Sequence, residues 1–172
     1  YRRLARLLAA SNEHILQQQA LQAVNQDLER QSQTDGLTGL ANRRQFDHAL
    51  LREHARQQRT GAPLSLLMVD LDHFKHVNDR YGHAIGDDYL RAVARVLNTS
   101  VTRATDLAAR YGGEEFVCLL PETAATDAQM LAERIRQGVS SMALPNELAS
   151  PPHLTLSIGV ATLLGGKTDA AQ

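Results

Sequence analysis

Cysteine is almost absent from this chain. Cys118 alone occurs among 172 residues, so no internal disulfide can form, which agrees with a reducing compartment. An excess of charge of either sign is missing too. The formal net charge is -1 and the isoelectric point about 6.7, which removes the bulk electrostatic footprint of a nucleic-acid binder. A compact anion held through a metal stays open. No apolar run approaches the roughly 18 residues that a bilayer span needs, and no signal peptide is visible. There is no internal repeat and no low-complexity tract. With 43% hydrophobic and 22% charged residues, the composition is that of a globular domain with one ordinary core and an appendage. The chain begins at Tyr1 rather than Met, so it reads as part of a longer protein in which a membrane-bound or sensory segment can precede it.

Glycine and proline are both lacking from residues 1–35. That stretch is rich in Ala, Leu, Gln, Glu and Arg, all good helix formers apart from a few positions. Leu21, Val24 and Leu28 step by three and four as a coiled-coil seam requires. Leu4, Leu8 and Ile15 fit a shifted register, so the seam contains a discontinuity between Ile15 and Leu21. The narrow apolar stripe favours a linker helix that pairs with a second copy over a helix packed on its own domain.

The remainder, 36–172, reads as one domain. Asn42 is a good N-cap for a helix over 43–58, with Phe46, Leu50 and Leu51 facing inward. "LSLLMVDL" at 64–71 reads as a central strand buried on both faces. A loop with a short helical piece spans 72–85, and a helix follows over 86–101. Strands at 106–111 and 116–120 flank a Gly-Gly turn as a hairpin. Helix 125–140, a Pro-rich loop at 145–152 and a strand at 154–164 complete the order. Strand, helix, strand, strand, helix, strand is the split pattern of ferredoxin-like α+β folds, an antiparallel sheet with two helices on one face. The first and third of these strands become central neighbours. Asp70, closing the first, then stands beside Glu114 on the hairpin turn.

Carboxylates converging from two rigid strands repel unless a cation lies between them. Oxygen-only ligation suits Mg²⁺ or Mn²⁺, with the shell completed by water and substrate phosphates. Gly112 and Gly113 allow positive φ in the turn and close approach of a phosphate-bearing ligand. "GGEE" by itself is also an ordinary surface hairpin. The polar segment "VDLDHFKHVNDRYGHAIGDD" at 69–88 makes it more than that. An EF-hand fails there, since Phe74 and Lys75 occupy the fifth and sixth loop positions from Asp70. A zinc site from His73, His76 and His83 lacks thiolates and the usual spacing. No Gly-Lys-Ser/Thr occurs, so a Walker A loop is absent. Asp72 reads as structural rather than as a ligand. Asn78, Asp79 and Asp87 read on their own as helix caps, and Cys118 as a core thiol.

"TDGLTGLANRR", "VDLDHFKHVNDRYGHAIGDD", "RYGGEEF" and "LTLSIGVA", in this order over 34–161, closely resemble the GGDEF-domain diguanylate cyclases. Glu114 stands where the family name spells Asp, a carboxylate for a carboxylate. The resemblance implies condensation of two GTP to cyclic di-GMP with loss of two pyrophosphates. Each step is attack of a ribose 3′-hydroxyl on an α-phosphate, with two divalent ions, Mg²⁺ or Mn²⁺, per site. By motif, Asp70, Glu114 and the Leu71 carbonyl would hold the metals, and Glu115 would be a further ligand or shape the turn. Lys75 and the amides near His73 and Phe74 would meet the β and γ phosphates. Asn78 and Asp87 would read the guanine edge, and Gly112 and Gly113 would keep the turn thin. "RATD" at 103–106 is by itself a routine surface ion pair. In the family it resembles an inhibitory product site, with Arg103 and Asp106 taking cyclic di-GMP and Arg134 completing it.

The resemblance further implies a homodimer or higher assembly through helix 1–35, since each site presents one GTP. An upstream sensory or receiver domain, as in the WspR-like response-regulator type, and a bacterial cytoplasmic location also follow from it, with no nucleic acid as partner. Family members continue into a final helix past "SIGVA", which this sequence does not contain. The competing reading is a non-catalytic cyclic di-GMP receptor using Arg103 and Asp106; a purely structural dimerisation module would need neither constellation. The complete set Asp70, Lys75, Asn78, Asp87 and Glu114 favours the enzyme.

Overall fold

In a computed structural model the described residues are 15, 17–19 and 33–165. The chain divides into two compact units, Tyr1–Gln33 and Thr34–Gln172. In the first, residues 15 and 17–19 are helical, while the seam residues Leu21, Val24 and Leu28 lie outside the described residues. All that follows concerns the second unit.

Its sheet has five strands in the order β1-β3-β4-β2-β5. These are β1 (Ala41–Asn42), β2 (Leu64–Leu71), β3 (Leu107–Arg110), β4 (Glu115–Pro121) and β5 (Leu156–Leu163). β2 lies between β4 and β5 and pairs antiparallel with both, so the first and third strands of the ferredoxin-like order are indeed neighbours. β1, absent from the sequence expectation, adds a two-residue parallel pairing to β3 at one edge.

Alternation along β2 serves two cores. Leu67, Val69 and Leu71 enter the larger one with Phe116, Cys118 and Leu120 of β4. Leu64, with Leu66 and Met68 partly buried, meets Val117 and Leu119 in the smaller one. A period of two sends successive side chains to opposite faces, which is why an apolar run of this length needs cover on both. The larger core is roofed by α3 (His83–Ser100) and α4 (Ala125–Ser141), the two helices expected on one face. The smaller is covered by α1 (Arg43–Thr60). Each fully buried Leu or Val contributes about 1.5–3 kcal/mol by leaving water.

α1 begins where the Asn42 side chain accepts the Gln45 N–H at 3.0 Å and ends at Gly61, whose φ of 70° is the left-handed cap. Phe46, Ala49, Glu53 and Gln57 form its buried stripe. Leu51, expected inside, is 71% exposed. Five residues past Phe46 it has turned about 140° around the helix axis, away from the sheet. The segment expected as a loop at 72–85 is mostly helix. α2 (Phe74–Tyr81) and α3 are joined by Gly82 alone, at φ 84°. A non-glycine residue resists that value, so one glycine permits a sharp reversal that composition reads as a loop.

Cys118 is fully buried, and burial pushes its thiol up to about 12. A thiol so protonated is inert. An aromatic disulfide reagent is therefore expected to leave Cys118 unmodified in the folded protein and to titrate one thiol in guanidinium, which absorbance at neutral pH checks directly.

Candidate functional site

The β2–β4 register sets Asp70 directly opposite Glu115. The Leu71 N–H donates to the Glu114 carbonyl at 3.4 Å in the last rung. Leu71 and Glu114 are thus a hydrogen-bonded pair, and the Leu71 carbonyl points at the turn. Asp70 and Glu115 form the adjacent non-hydrogen-bonded pair, with Cα atoms about 4.5 Å apart. Glu114 sits one residue further on, in the turn itself. Asp70 therefore meets both glutamates, where the topology argument had set Glu114 beside it and Glu115 entered only through the family resemblance. Partial desolvation, then the charges of Glu115 and Asp72, push the Asp70 carboxyl above its usual range. Desolvation, then Asp70 and Glu115, do the same to Glu114.

Gly112 and Gly113 do not use the left-handed region; the described glycines with positive φ are Gly39, Gly61 and Gly82. The turn is closed by the Tyr111 and Gly112 N–H groups, which both donate to the Glu115 carbonyl at 2.8 and 3.2 Å. What Gly112 provides is room, since a Cβ there would stand 2.7 Å from the Glu115 carboxylate. Gly113 has open space beside it.

Directly after β2 the chain is pinned to β5. Asp72 accepts hydrogen bonds from the Thr155 and Ser157 hydroxyls, both at 2.6 Å, and its N–H donates to the Thr155 carbonyl at 3.0 Å. These bonds give Asp72 the structural role expected of it, and they do so from the same strand face as Asp70, since residues two apart share a face. His73 takes φ 53° and starts α2 without a side-chain cap. Its ring is exposed and stacks on His76 at 5.3 Å. The Phe74 ring is in the core, so only its backbone faces outward chemistry, and Lys75 is exposed. Neither Asn78 nor Asp87 is a cap: the residues flanking α2 and α3 are His73 and Gly82. Asn78 lies on the last turn of α2 and Asp87 just past the first turn of α3, both half-buried. The carboxylates and the phosphate- and base-reading candidates thus follow one another from the end of β2. Among the described residues no three His, Cys, Asp or Glu side chains form a closed metal cage. Asp70 and Glu114 with the Leu71 carbonyl instead make an open, all-oxygen donor set, which fits a hard divalent ion that keeps water and phosphate in its shell.

The second constellation lies elsewhere on the domain. Arg103 grips Asp106 with two bonds, Nε to Oδ2 at 3.0 Å and Nη2 to Oδ1 at 2.8 Å. The same Nη2 donates to the Pro121 carbonyl at 3.1 Å and to the Thr123 hydroxyl. Asp106 is 5% exposed at its side chain, so this is no ordinary surface pair. Arg134 donates to the Ser100 carbonyl at 3.2 Å. Arg103, Asp106 and Arg134 line one open groove of about 270 Å³, together with Asp127 and Leu131.

The family model described as diguanylate cyclase, GGDEF domain, matches residues 32–172. The chain belongs to the GGDEF diguanylate cyclase family. It is 44% identical over 138 residues to the diguanylate cyclase DgcM of Escherichia coli K12, covering 80% of this chain and 32% of that protein. It is 46% identical over 136 residues to the response regulator PleD of Caulobacter vibrioides, covering 77% and 29%. The crystal structure of the coiled coil and GGDEF domain of DgcB from Caulobacter crescentus, in complex with c-di-GMP, superposes with a TM-score of 0.73 at 35% identity. It covers 94% of this chain and 85% of that one. The chain spans about a third of the length of the two curated relatives. Among the described residues no helix is long and apolar enough to cross a membrane.

One part of the GGDEF site escaped the sequence reading. Arg110, just before the signature, donates from Nη2 to the Gly113 carbonyl at 2.7 Å and from Nε to the Gly112 carbonyl at 3.2 Å. Its Nη1 reaches Asp35 at 3.3 Å. Asp35 in turn accepts the Thr38 N–H and hydroxyl at 2.9 and 2.7 Å. Burial alone would raise the Asp35 carboxyl, but the Thr38 and Arg110 hydrogen bonds outweigh it and hold it below the usual range. Tyr111 is braced from the other side by Phe46, ring to edge at 5.8 Å, and by the Arg43 guanidinium 4.5 Å from its ring centre. The available signal was an arginine adjoining a Gly-Gly turn and a "TDGLT" turn with no chemistry of its own.

Proposed function

We propose that this chain is the catalytic part of a diguanylate cyclase, which condenses two GTP to cyclic di-GMP and two pyrophosphates. The observation that carries this is the meeting of Asp70, Glu114 and Glu115 at one sheet end, where desolvation and then mutual charge raise the first two carboxyls. Anionic oxygens held in that state favour a cationic occupant. Asp70, Glu114 and the Leu71 carbonyl would hold two Mg²⁺ or Mn²⁺ ions, with Glu115 supporting. Such ions supply Lewis-acid stabilisation of the phosphoryl charge and acidify the attacking hydroxyl.

The remaining work falls to the chain. Lys75 and the amides at His73 and Phe74 bind the β and γ phosphates, so that the leaving pyrophosphate is neutralised where it forms. Asn78 and Asp87 select guanine, because adenine would leave their donors and acceptors unpaired. Gly112 and Gly113 let the nucleotide lie close across the turn. One domain offers one GTP, so the product requires a homodimer, for which residues 1–35 serve as the paired stalk and 36–172 as the catalytic domain. An upstream sensory or receiver domain would set the encounter of the two sites. GTP as substrate implies the cytoplasmic side of a bacterial cell.

Arg103, Asp106 and Arg134 form the feedback site for cyclic di-GMP. For a base or phosphate to enter, Arg103 must exchange its Asp106, Pro121 and Thr123 partners for the ligand. Incubation with GTP and Mg²⁺, with cyclic di-GMP and pyrophosphate quantified by chromatography, tests both parts. The parent is expected to form product and then stall. Arg103→Ala is expected to accumulate more, with half-inhibition by added cyclic di-GMP shifted upward about ten-fold or more, the loss of one charge-assisted bidentate contact. Absence of product, with cyclic di-GMP binding that Arg103→Ala abolishes, would leave a receptor.

A further inference from the structure

Gly86 lies within α3, where glycine is an unfavourable choice beside alanine, and its φ is not in the left-handed region. Backbone freedom therefore does not explain it. Space does. A Cβ built at Gly86 overlaps the Asn78 side-chain amide oxygen outright and stands 3.1 Å from Asn78 Cγ and 3.2 Å from Phe74 Cζ. Phe74 and Asn78 are four residues apart on α2, so they share the face that packs against α3. Phe74 is 4% exposed and fills the core; Asn78, half-buried, is the polar member of the pair. The bare α-carbon of Gly86 is what allows the Asn78 amide to lie against the first turn of α3, at the residue that precedes Asp87 in the chain.

We infer that Gly86 is a specificity-determining residue: its missing side chain lets the Asn78 amide seat against α3 one residue before Asp87, and these two side chains together read guanine. The inference rests on the base-reading role proposed above for those two residues. Guanine presents N1–H and a 2-amino group as donors and O6 as an acceptor, whereas adenine reverses the polarity at position 6 and lacks the 2-amino group. A fixed carboxylate together with a fixed amide distinguishes the two patterns; an amide pushed aside by a methyl group does not. Gly86 acts through Asn78 and touches no reacting atom, so it is a positioning residue.

The test is calorimetric binding of 3′-deoxy-GTP and 3′-deoxy-ATP, which lack the attacking hydroxyl and cannot be condensed, with melting temperatures measured alongside. Gly86→Ala is expected to lower the guanine-over-adenine preference by about ten-fold or more while leaving 3′-deoxy-ATP binding within about two-fold. Asn78→Ala is expected to do the same. In Gly86→Ala/Asn78→Ala the outright overlap with Asn78 is gone and only the 3.2 Å approach to Phe74 Cζ remains, so its melting temperature rises above that of Gly86→Ala to near that of Asn78→Ala, with no further loss of preference. An unchanged preference in Gly86→Ala, or equal weakening of both nucleotides, overturns the inference. So does a double variant as unstable as Gly86→Ala alone. If Asn78→Ala keeps the guanine preference, the base-reading assignment itself falls and Gly86 with it. If Asn78→Ala loses it while Gly86→Ala keeps it, only the role of Gly86 falls.

Discussion

Glu114→Gln is expected to lower cyclic di-GMP formation by more than about 100-fold and, in the absence of metal, to raise the melting temperature. The activity loss exceeds the 10–100-fold that removal of a merely outer partner of a metal site brings. The stability gain has the opposite sign because the glutamate is held against like charge. Glu114 stands in the turn beside the facing pair Asp70 and Glu115 and feels the charge of both after partial desolvation. Neutralising it relieves a repulsion on the order of the 0.2–1 kcal/mol of a cross-strand charge pair, moving the midpoint by up to about 4 °C. Asp70 and Glu114 both titrate above their ordinary values in the folded chain. The folded state therefore binds more protons than the unfolded state just above those values, and stability falls as pH rises through that interval. In Glu114→Gln the fall is shallower. Adding Mg²⁺ should raise the midpoint of the parent, because an ion that binds only the folded state stabilises by mass action. It should do much less for the variant. Calorimetric scans with and without Mg²⁺ measure both quantities. A variant with reduced activity and a lowered metal-free midpoint would place Glu114 in a structural network instead.

Arg110→Ala is expected to cost about 1.5–3 kcal/mol of stability, the range for hydrogen bonds to charged groups, and about 10–100-fold in turnover. Arg110 and Asp35 are 17% and 22% exposed at their side chains, so the pair is only partly screened by water. Without the guanidinium the carbonyls of Gly112 and Gly113 lose their donor, and the turn that carries Glu114 is held only by its own backbone bonds. Arg110→Lys should keep the charge facing Asp35 but not the fork that spans two carbonyls, and should fall between. Asp35 titrates below its ordinary value when folded. Its contribution is therefore present above the ordinary carboxylate pKa and lost as pH falls through the lowered one. Arg110→Ala should shrink that acid-side loss, and denaturant midpoints at pH 7 and pH 3 would read it. Equal loss of stability in Asp35→Ala and in the double variant would mark the two residues as one unit.

Much of this molecule was legible without coordinates, and the reason is local. The strand at 64–71, the helices on either side of the hairpin and the buried Cys118 follow from periods of two and 3.6 that any window of the chain displays. The order of the elements then limited the topology to one sheet with β2 beside β4. The four motifs carried the family. Asp72 was legible only as a polar residue closing the strand: residues two apart share a face, and what makes it structural is its bonds to the Thr155 and Ser157 hydroxyls at the start of β5.

The rest depended on partners far apart in the chain. Asp70 opposite Glu115 is a matter of strand register, and a shift of one residue would exchange every such pair. Arg110 finds Asp35 from 75 residues away, and Gly86 makes room for a side chain on a different helix. Leu51 turned outward and the 72–85 segment became helix because packing against the sheet and a single Gly82 at φ 84° decided them. Periodicity and turn chemistry act over a few residues, and they determined the elements and their order, while the resemblance of four motifs carried the family. Which carboxylates face each other, and what clamps the turn that presents them, came only from tertiary packing, because hydrogen bonds and steric exclusion between distant segments have no local signature in the chain.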